Sequence, residues 1–485
     1  MPSVLADLGG PRPAVATPGL LIEEADTAGR AGHQALRRWA FVERQGLFDG
    51  SDHDDLDDDP ATVVLVARTV DGEVVGGVRL APIRHDLGWW AGSRLVVAPG
   101  APHRTGATLV RAACARAEDA GALRFDALVQ ADKERFFARL GWQRLHAATF
   151  RGLDHVAMTW PIGTLARAAE RKRVIGEVLG DLRPGGTGFV GDDAAPVPGS
   201  ELVAATDAIV PSMVERDPWW AGWCSVLVNA NDLAAMGAEP VGLLDAVAAP
   251  TPSLARRVVA GLAEAAVRWG VPVLGGHTQV GVPAALSVTM LGRASDPVPG
   301  GAGRPGDEVR VVADLAGGWR PGYGGRQWDS TTSRSGEELR RLGSTLGRWR
   351  PAAAKDVSMA GLVGTLAMLA ESSGCGAELD VAAVPRPAAT GMADWLTCFP
   401  GFALVTAGGP TPREVAPAVV GGCGWLTSGA GVTLVWPDGR RTFAVDGPVV
   451  GLGVAGAASK HSGPSRRAGT AGEAGASPRF GEEEL

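Results

Sequence analysis

The chain has little lysine and cysteine and no long apolar run, and each shortage excludes something. Only four of its 46 basic residues are lysines, and the net charge is −7, which argues against nucleic acid as the main partner. The five cysteines are odd in number and form no CxxC pair, which argues against a disulfide framework or a structural zinc site. No membrane span or signal peptide is predicted, so a cytoplasmic protein is expected.

The length points to several domains. At 485 residues the chain is too long for a single hydrophobic core, and 45% hydrophobic and 20% charged residues are typical of globular domains. Residues 1–20 predict a flexible leader, and residues 459–485, rich in Gly, Ala, Ser and charge, predict a disordered tail. The acidic run Asp52–Asp59 predicts a solvated loop, and a cation site there is a less favoured alternative.

Residues 21–160 predict a mixed sheet. A helical pattern over Glu23–Phe48 precedes two strands joined by a turn at Val70–Glu73. After a third strand, the loop APHRTGA opens a helix that ends near Ala120, and residues from 151 begin with a strand remnant. The predicted strands and the late helix are Thr62–Arg68, Glu73–Leu80, Ser93–Val97, Arg124–Val129, Asp132–Leu140 (helix) and Trp142–Phe150.

This order, an antiparallel meander followed by βαβαβ, resembles the GNAT acetyltransferase fold. The segments LVVAPGAPHRTGATLVRAA and FFARLGW carry the resemblance, as the strand–loop–helix that binds acetyl-CoA and a late helix–strand signature. The resemblance implies transfer of an acyl group to an amine, with backbone amides at a helix start facing the cofactor's pyrophosphate. It assigns to the cofactor Leu95, Val97, His103, Arg104, Thr105, Gly106, Ala107, Thr108 and Phe136.

The first half also departs from that family. His103 stands where the family prefers Gln or Arg, and Thr108 where it prefers Gly or Ala. The chain's one tyrosine, Tyr323, lies far outside this half, so the tyrosine acid of many GNAT enzymes is missing. The base is therefore left open among His103, Asp126, His155 and water. The run VQADKERFFARLGW is similar to a subgroup of bacterial N-acetyltransferases associated with nitrogen starvation.

A second group of polar residues lies in Gly191–Pro240. A strand over Glu201–Thr206 is predicted to deliver a carboxylate at its end, and a helix from about Pro218 to Gly237 carries Ser225, Asn229 and an aspartate on one face. Clustered acids repel one another unless they share a cation, and Mg²⁺ with a nucleotide phosphate is the usual solution. Helix caps and loop carboxylates are the alternative. The acids expected to converge are Asp192, Asp193, Asp207 and Asp232.

The second half resembles the AIR synthase (PurM-like) superfamily. The blocks GDDAA, ELVAATD, NANDLAAMGAEP, VLGGHTQ and KDVSMAGL occur in that superfamily's order. The resemblance implies an ATP-binding A domain over residues 161–300, whose sheet pairs with a second subunit into a homodimer, and an α/β B domain over residues 301–458. It also implies ATP held by Mg²⁺ rather than by a Walker loop.

The resemblance assigns roles to individual residues. It implies metal ligands at Asp192 or Asp193, which the sequence does not distinguish, and at Thr206, Asp207, Asp232 and Asp356. Gly275, Gly276 and His277 match the block that approaches the nucleotide, where a Cβ would hold the phosphates off. The candidate catalytic residues are Asp232, Asp356, His277 and, in the first half, His103.

Departures limit this second assignment as well. His277 replaces an aspartate of the kinase-like members, and Met359 replaces the second aspartate of their D-x-S-D motif. The segment RPGGTGFV lacks the Cys and Lys that selenophosphate synthetases need, which argues against that activity. Residues 301–350 predict a mobile segment in which Arg320 and Arg326 could reach phosphate, with a plain surface loop as the favoured reading.

The sequence therefore predicts a bifunctional cytoplasmic enzyme of α/β and α+β domains. An acetyl-CoA-dependent N-acyltransferase would be fused to a half that uses ATP and Mg²⁺ to phosphorylate or activate a small metabolite. The alternative is a nucleotide- or CoA-binding regulatory protein in which one or both sites are inactive. Neither the acceptor amine nor the phosphoryl acceptor follows from the sequence.

Overall fold

A computed structural model describes residues 19–412 and 415–456 of the chain. Along it follow a seven-stranded sheet, a five-stranded sheet and a second seven-stranded sheet, with one two-stranded hairpin beside them. Helices pack on these sheets, so the predicted α/β and α+β architecture is confirmed. The predicted tail over 459–485 and all but the end of the predicted leader lie outside the described residues.

The first sheet has the order β1-β2-β3-β4-β5-β7-β6. Strands β1 to β4 are antiparallel neighbours, β4 and β5 are parallel, and β7 lies between β5 and β6, antiparallel to both. The turn predicted between β2 and β3 is confirmed, since the Gly72 amide donates to the Thr69 carbonyl. The strands are β1 Leu20–Glu24, β2 Val63–Thr69, β3 Val74–Arg84, β4 Trp89–Val97, β5 Arg124–Gln130, β6 Gln143–Phe150 and β7 Leu153–Trp160.

Two predictions for this half are wrong in the same way. The helix predicted from Glu23 begins only at Thr27, because Leu20–Glu24 forms a strand that pairs with β2. The strand remnant predicted after residue 151 is a full strand that fills the gap between β5 and β6. Both errors arise because a strand is stabilised by a partner distant in sequence, which local periodicity does not reveal.

Six helices belong to the first half and the connection that follows it. Asp26 caps the first of them, where its side chain accepts the Gly29 amide at 2.6 Å. The helices are α1 Thr27–Arg37, extended by a π-helical segment Arg38–Arg44, then α2 Asp55–Asp58, α3 Thr105–Asp119, α4 Glu134–Arg139, α5 Thr164–Ala169 and α6 Val174–Leu179. The helix predicted to follow the loop APHRTGA is α3, which begins inside that loop, at Thr105.

The acidic run Asp52–Asp59 is not the solvated loop that its composition predicts. The Asp52 and Asp57 side chains are only 8% and 6% exposed. Arg37 holds both of them, with its Nε 2.7 Å from Asp52 and its Nη1 2.6 Å from Asp57. Arg79 and Arg94 complete the arginine–aspartate cluster, each through a nitrogen within 3 Å of Asp54. Since these guanidinium groups supply the counter-charge, the run is a structural ion-pair network rather than a cation site.

The second sheet has the order β11-β10-β12-β9-β8, and two long helices cover one of its faces. Helix α8 begins and ends within two residues of the predicted bounds. The strands are β8 Ala195–Pro196, β9 Leu202–Ile209, β10 Glu239–Ala249, β11 Val273–Val280 and β12 Ala285–Arg293, and the helices are α7 Pro211–Arg216, α8 Pro218–Ala235 and α9 Pro252–Trp269.

Helices α8 and α9 cross at a pair of glycines. A Cβ on Gly222 would lie 2.0 Å from the Val258 carbonyl oxygen, and one on Gly261 would lie 1.9 Å from that of Trp219. The two backbones therefore approach more closely than any side chain would allow. Around this crossing α8 is buried on nearly all sides, with Trp220 and Trp223 fully enclosed.

The third sheet has the order β16-β18-β13-β19-β17-β20-β21. Its strands and those of the hairpin are β13 Glu308–Ala313, β14 Gly318–Trp319, β15 Trp328–Asp329, β16 Ala353–Asp356, β17 Gly376–Asp380, β18 Ala403–Ala407, β19 Val419–Thr427, β20 Val432–Val435 and β21 Arg441–Val445. Its helices are α10 Gly336–Gly343, α11 Thr345–Trp349, α12 Gly361–Ser373 and α13 Met392–Thr397.

The segment 301–350 is ordered into β13, the β14–β15 hairpin and helices α10 and α11. Arg320 is held inside it, because its Nη2 lies 2.9 Å from Asp217 and its guanidinium lies 4.6 Å from the centre of the Trp220 ring. Arg326 lies in the turn that closes the hairpin, where the Phe399 amide donates to its carbonyl. These contacts engage the Arg320 side chain and argue against the less favoured alternative that it reaches phosphate.

The first and third sheets pack against each other. Leu87 and Leu123 of the first half belong to the apolar core of the third sheet, as do Leu165 and Ala169 of the connecting helix α5. The five cysteines, all in the described part, are free and buried. In residues 19–412 and 415–456 no helix is long and apolar enough to cross a membrane.

Candidate functional site

The carboxylates predicted to converge come from four separate segments. Asp207 lies inside β9 and not at its end, because that strand continues to Ile209. Asp232 lies near the end of α8, which Asn231 ties to the third sheet by donating from Nδ2 to the Gly401 carbonyl at 2.7 Å. Asp356 ends β16 of the third sheet, and Asp193 lies in the loop before β8. The site therefore spans the second and third sheets.

Asp192 and Asp193 differ in their surroundings. The Asp192 side chain is 1% exposed; its Oδ2 accepts the Gly300 amide at 2.8 Å and its Oδ1 lies 3.2 Å from the Lys355 ammonium. Asp193 is 11% exposed and accepts the Asp356 amide at 2.8 Å. The charge of Asp193, but not that of Asp192, raises the pKa values of the other three carboxyls. Asp193 thus faces the cluster, and Asp192 lies behind it.

Asp207, Asp232 and Asp356 form the core of what we call the carboxylate cluster, together with Asp193. Burial raises the pKa of Asp232 and of Asp356 well above the ordinary range, and neighbouring carboxylates raise both further. Burial also raises the pKa of Asp207, which shares a hydrogen bond with Asp232. Asp232 and Asp356 are buried and Asp207 is half-buried, and their mutual repulsion makes the three anions unstable. A cation delivered to this place would relieve that cost.

The donor set of the carboxylate cluster fits a hard cation such as Mg²⁺. Carboxylate oxygens are its preferred protein ligands, and it commonly takes one or two of them and completes its shell with phosphate oxygens and water. The buried Oδ1 of Asn229, one turn before Asp232 on α8, has no hydrogen-bond partner. Among the described residues no group of three or more acidic, His or Cys side chains is placed to hold a metal ion. Nucleotide oxygens would therefore have to complete the coordination.

The Gly-rich block lies on the exposed edge strand β11. Register pairs Gly276 with Asp245 of β10, Asp245 with Val288 of β12, and Val288 with Asp207 of β9. Gly276 and Asp207 therefore occupy one row on the same face, three strand spacings or about 14 Å apart. A Cβ on Gly276 would lie 2.4 Å from an Asp245 carboxylate oxygen, so this position admits only glycine.

Thr206, Gly275 and His277 fall on the other face of the sheet. Thr206 Oγ1 lies 2.8 Å from Thr289 Oγ1 on the exposed side, away from α8. His277 is an exposed residue whose Nε2 lies 3.2 Å from the Gln279 amide nitrogen. Because residues alternate sides along a strand, neither Thr206 nor His277 shares the face of Asp207. The structure thus brings Asp193, Asp207, Asp232 and Asp356 together and leaves these side chains apart.

In the first half, the predicted cofactor residues surround the start of α3. Leu95, Val97 and Phe136 are half-buried against the first-half core, and a Cβ on Gly106 would lie within 3.7 Å of Val97 and Phe136. Arg104 has a left-handed backbone with φ of 71°, and no side chain caps the helix there. The first-turn amides therefore have no carboxylate or hydroxyl of the cap residue in front of them.

The remaining residues of this loop divide into bound and exposed side chains. Thr105 donates its hydroxyl to the Pro102 carbonyl at 2.7 Å, and Thr108 donates to the Arg104 carbonyl at 3.1 Å. Ala107 lies half-buried in the first turn, and the His103 side chain is exposed. The two threonines shape the loop, while His103 and Arg104 remain at its surface.

The other candidate bases are both engaged. Asp126 Oδ2 accepts a hydrogen bond from Arg124 at 2.7 Å, and its Oδ1 is buried without a partner. His155 is buried, with Nδ1 2.9 Å from the Leu153 carbonyl oxygen. Tyr323 lies in the second half, where Arg216 covers its ring at 4.0 Å. The first-half base thus stays open among the residues proposed from the sequence.

Two lysines at the site were missed by sequence reasoning. Lys355 is 2% exposed and binds both Asp192 and Asp193, and its place directly before Asp356 in the KDVSMAGL block could have drawn attention to it. Lys172, in the turn Glu170–Lys172 between the halves, lies close enough for its charge to oppose the effect of burial on the pKa values of Asp207 and Asp356. Nothing in the sequence around Lys172 marks this proximity.

Comparison with family models gives three matches. Residues 33–142 match the acetyltransferase (GNAT) family, residues 191–294 match the N-terminal domain of AIR synthase related proteins, and residues 345–420 match their C-terminal domain. The glycine block, α8 and the first three cluster aspartates fall in the second match, and Asp356 falls in the third.

Similar proteins match the second half of the chain. An uncharacterized protein of Synechocystis sp. is 36% identical over 46% of this chain and 70% of its own length. A thiamine-monophosphate kinase of Synechococcus elongatus is 36% identical over 21% of this chain, which spans about a third (34%) of that protein. A crystal structure of thiamine monophosphate kinase from Aquifex aeolicus, at 20% identity and a TM-score of 0.42, covers 56% of this chain and 96% of that one.

Proposed function

The chain belongs to the AIR synthase related family and carries a GNAT-family acetyltransferase domain before that part, and from this premise we propose a bifunctional enzyme. Its second half binds ATP with Mg²⁺ and phosphorylates or activates an oxygen of a small metabolite. Its first half transfers an acyl group from acetyl-CoA to an amine. Free, buried cysteines are consistent with the cytoplasm as the place of both reactions.

One observation carries the proposal for the second half. The carboxylate cluster contains the buried Asp232 and Asp356 and the half-buried Asp207, whose pKa values are raised by burial and mutual repulsion, and Lys355 is bound to Asp192 and Asp193 beside them. Asp193, Asp207, Asp232 and Asp356 would hold Mg²⁺, which supplies charge neutralisation for the phosphates. Lys355 holds the Asp192–Asp193 loop against β16 and so positions Asp193. We assign Asp192 to this supporting role and not to the metal.

We place the terminal phosphate of the nucleotide at the carboxylate cluster, beside Asp207 and Asp232. The similarity to thiamine-monophosphate kinases supports a small phosphoryl acceptor, while Met359, which is 51% exposed, leaves the site with one acid fewer than the kinase motif.

For the first half we propose that the uncapped start of α3 receives the cofactor's pyrophosphate. The first-turn amides of Gly106 and Ala107, with Arg104 beside them, supply a positive field for an anion. Leu95, Val97 and Phe136 line the apolar approach. His103 stands at the surface of the same loop and is the most accessible of the proposed bases.

Isothermal titration calorimetry tests the nucleotide site. We expect ATP to bind only with Mg²⁺, and Asp232→Asn to weaken binding at least tenfold, or by about 1.4 kcal/mol. The matched control is Thr206→Val on the opposite face of the same sheet, which should leave the Kd within about twofold. Equal binding by wild type and Asp232→Asn would refute the site.

A regulatory protein is the second candidate. It is favoured by Met359 at a ligand position and by the absence of tyrosine from the first half, which would leave binding intact but chemistry weak. Binding of ATP and acetyl-CoA without product from a broad panel of amines and metabolites would support this candidate. Release of ADP or free CoA that depends on an added metabolite would support the enzyme.

We further propose a homodimer through the second sheet. The edge strand β11 is exposed along its length, and together with β10 it leaves five apolar side chains exposed, namely Val241, Leu244, Val273, Leu274 and Val280. Exposed edges of this kind pair readily with another strand. Light scattering after gel filtration should give twice the chain mass, and Leu274→Lys should shift it to the monomer.

A further inference from the structure

The first half is fastened to the third sheet by one fully buried arginine. Arg124, 2% exposed, donates from both terminal nitrogens to Asp438, at 2.9 and 2.8 Å. Asp438 lies in the turn between β20 and β21, which we call the 436–440 turn. The Arg124 guanidinium also lies 3.8 Å from the centre of the Trp89 ring and 5.4 Å from that of Trp436. Such bidentate, stacked geometry is specific to arginine.

Further contacts surround this ion pair. Arg440 places its Nη2 3.1 Å from His146 of β6, and the Trp89 and Trp436 rings meet edge to face at 6.2 Å. Next to them, Leu87 and Leu123 are buried in the third-sheet core. The 436–440 turn therefore docks on the first sheet through charge, aromatic and apolar contacts together, and removal of Asp438 would leave the buried Arg124 with Asp126 as its remaining ion-pair partner.

The docking point has a defined place in the first sheet. Arg124 pairs with Trp89 as the first pair of the parallel β4–β5 ladder, which runs only from Trp89–Arg124 to Gly92–Ala127. Beyond it β4 bends, as the left-handed Arg94 (φ 55°) and a register shift against β3 record. The part of β4 past the bend carries Leu95 and Val97. The 436–440 turn thus contacts the end at which β4 and β5 pair. The other ends of these two strands separate beside the proposed acetyl-CoA site.

We propose that the 436–440 turn of the second half is a positioning element of the acyltransferase site. It fixes the paired end of β4 and β5, and with it the opening beyond Arg94 into which the acyl thioester is placed. Arg124 and Asp438 touch no substrate and act through the strands. The inference rests on the proposed binding of acetyl-CoA by the first half, and it implies that the first half needs the second half for full affinity.

Asp438→Asn in the full chain tests the proposal. We expect amide hydrogen exchange in residues 89–92 and 124–127 to rise about tenfold, and the Kd for acetyl-CoA to rise about three- to tenfold, while the Kd for MgATP stays unchanged. The matched control is Glu378→Gln, which removes the ion pair to Arg441 beside the same turn but lies wholly within the third sheet. It should match wild type in all three measurements.

The outcomes separate the two proposals. No acetyl-CoA binding by wild type would refute the cofactor assignment, while the exchange measurement would still decide whether the turn fixes the strands. Exchange and affinity equal to wild type in Asp438→Asn would overturn the positioning role. Should that variant fail to fold, Arg440→Gln at the rim of the contact replaces it, with a two- to threefold rise in Kd expected and no change counting against the proposal.

Discussion

The two halves of the molecule each bury a group of aspartates, and they treat them in opposite ways. In the arginine–aspartate cluster, burial disfavours the Asp57 anion, but the hydrogen bond from Arg37 and the charge of Arg79 outweigh it and hold the pKa of this carboxyl well below its ordinary value. In the carboxylate cluster, burial and neighbouring acids raise the pKa of Asp232. The residue type is the same, and the counter-charge decides the role.

This difference distinguishes a buried aspartate with a structural role from one that binds a cation. The aspartates of the arginine–aspartate cluster are close in sequence, and those of the carboxylate cluster are close in space. Both groups are shielded from water. Only the first has its charges balanced one for one by arginines of the same fold. A buried carboxylate cluster that the protein leaves unbalanced implies a partner from outside, and this criterion uses no resemblance at all.

The largest effect should follow from breaking the balanced cluster. Arg37→Met leaves Asp52 and Asp57 buried without their main partner, so we expect the first half to lose about 3–5 kcal/mol of unfolding free energy. Urea unfolding followed by circular dichroism measures it. Arg38→Met, next to it but exposed, is the control, and a loss below about 1 kcal/mol in Arg37→Met would contradict the structural role.

Low pH should destabilise the first half through the protonation of His33. Burial lowers the pKa of His33 to about 4, with the ordinary value near 6.5 in the unfolded chain. The unfolded state therefore binds a proton that the folded state refuses, and stability falls as pH drops from about 6.5 to 4, by about 3 kcal/mol at most. His33→Gln should flatten this fall in unfolding curves taken at several pH values, and an unchanged pH dependence would show that another group is responsible.

Removal of an aspartate should change the stability of the chain in opposite directions in the two clusters. Asp232→Asn removes a repelling carboxyl from the unbalanced cluster and should stabilise the ligand-free chain by about 1–2 kcal/mol, although it weakens MgATP binding. Asp57→Asn removes a paired acid and should destabilise it by at least as much. Differential scanning calorimetry without ligand compares them. A stability change of the same sign in both variants would contradict the distinction between the balanced and the unbalanced cluster.

The smallest effect should come from Lys172. Its charge acts on the carboxylate cluster from the connection between the halves, so Lys172→Ala should weaken MgATP binding about three- to fivefold, or by roughly 1 kcal/mol, with unfolding unchanged. Arg173→Ala, adjacent and exposed, should have no effect. Equal MgATP titration curves for both variants would show that Lys172 does not act on the carboxylate cluster.

Much of this could be predicted from local sequence. The hairpin turn at Val70–Glu73, the bounds of α8 and the start of α3 follow from turn chemistry and periodicity, and family blocks placed the acids that meet. What failed depended on distant partners. The strand Leu20–Glu24 needs β2, the burial of Asp52 needs Arg37 and Arg94, and the contact of Lys355 with Asp192 joins residues that are distant in sequence. The face on which Thr206 lies also needed the register of the whole sheet.

The glycine crossing of α8 and α9 has a consequence for how the protein can change over time. Because neither Gly222 nor Gly261 has room for even a methyl group, substitution of either glycine would force α8, the helix that bears Asp232, away from α9. New substrate preferences would then have to arise from the loops and strands around this helix, whose own sequence should accept few changes. A saturation mutagenesis library should show that α8 accepts far fewer substitutions than the hairpin of residues 318–329.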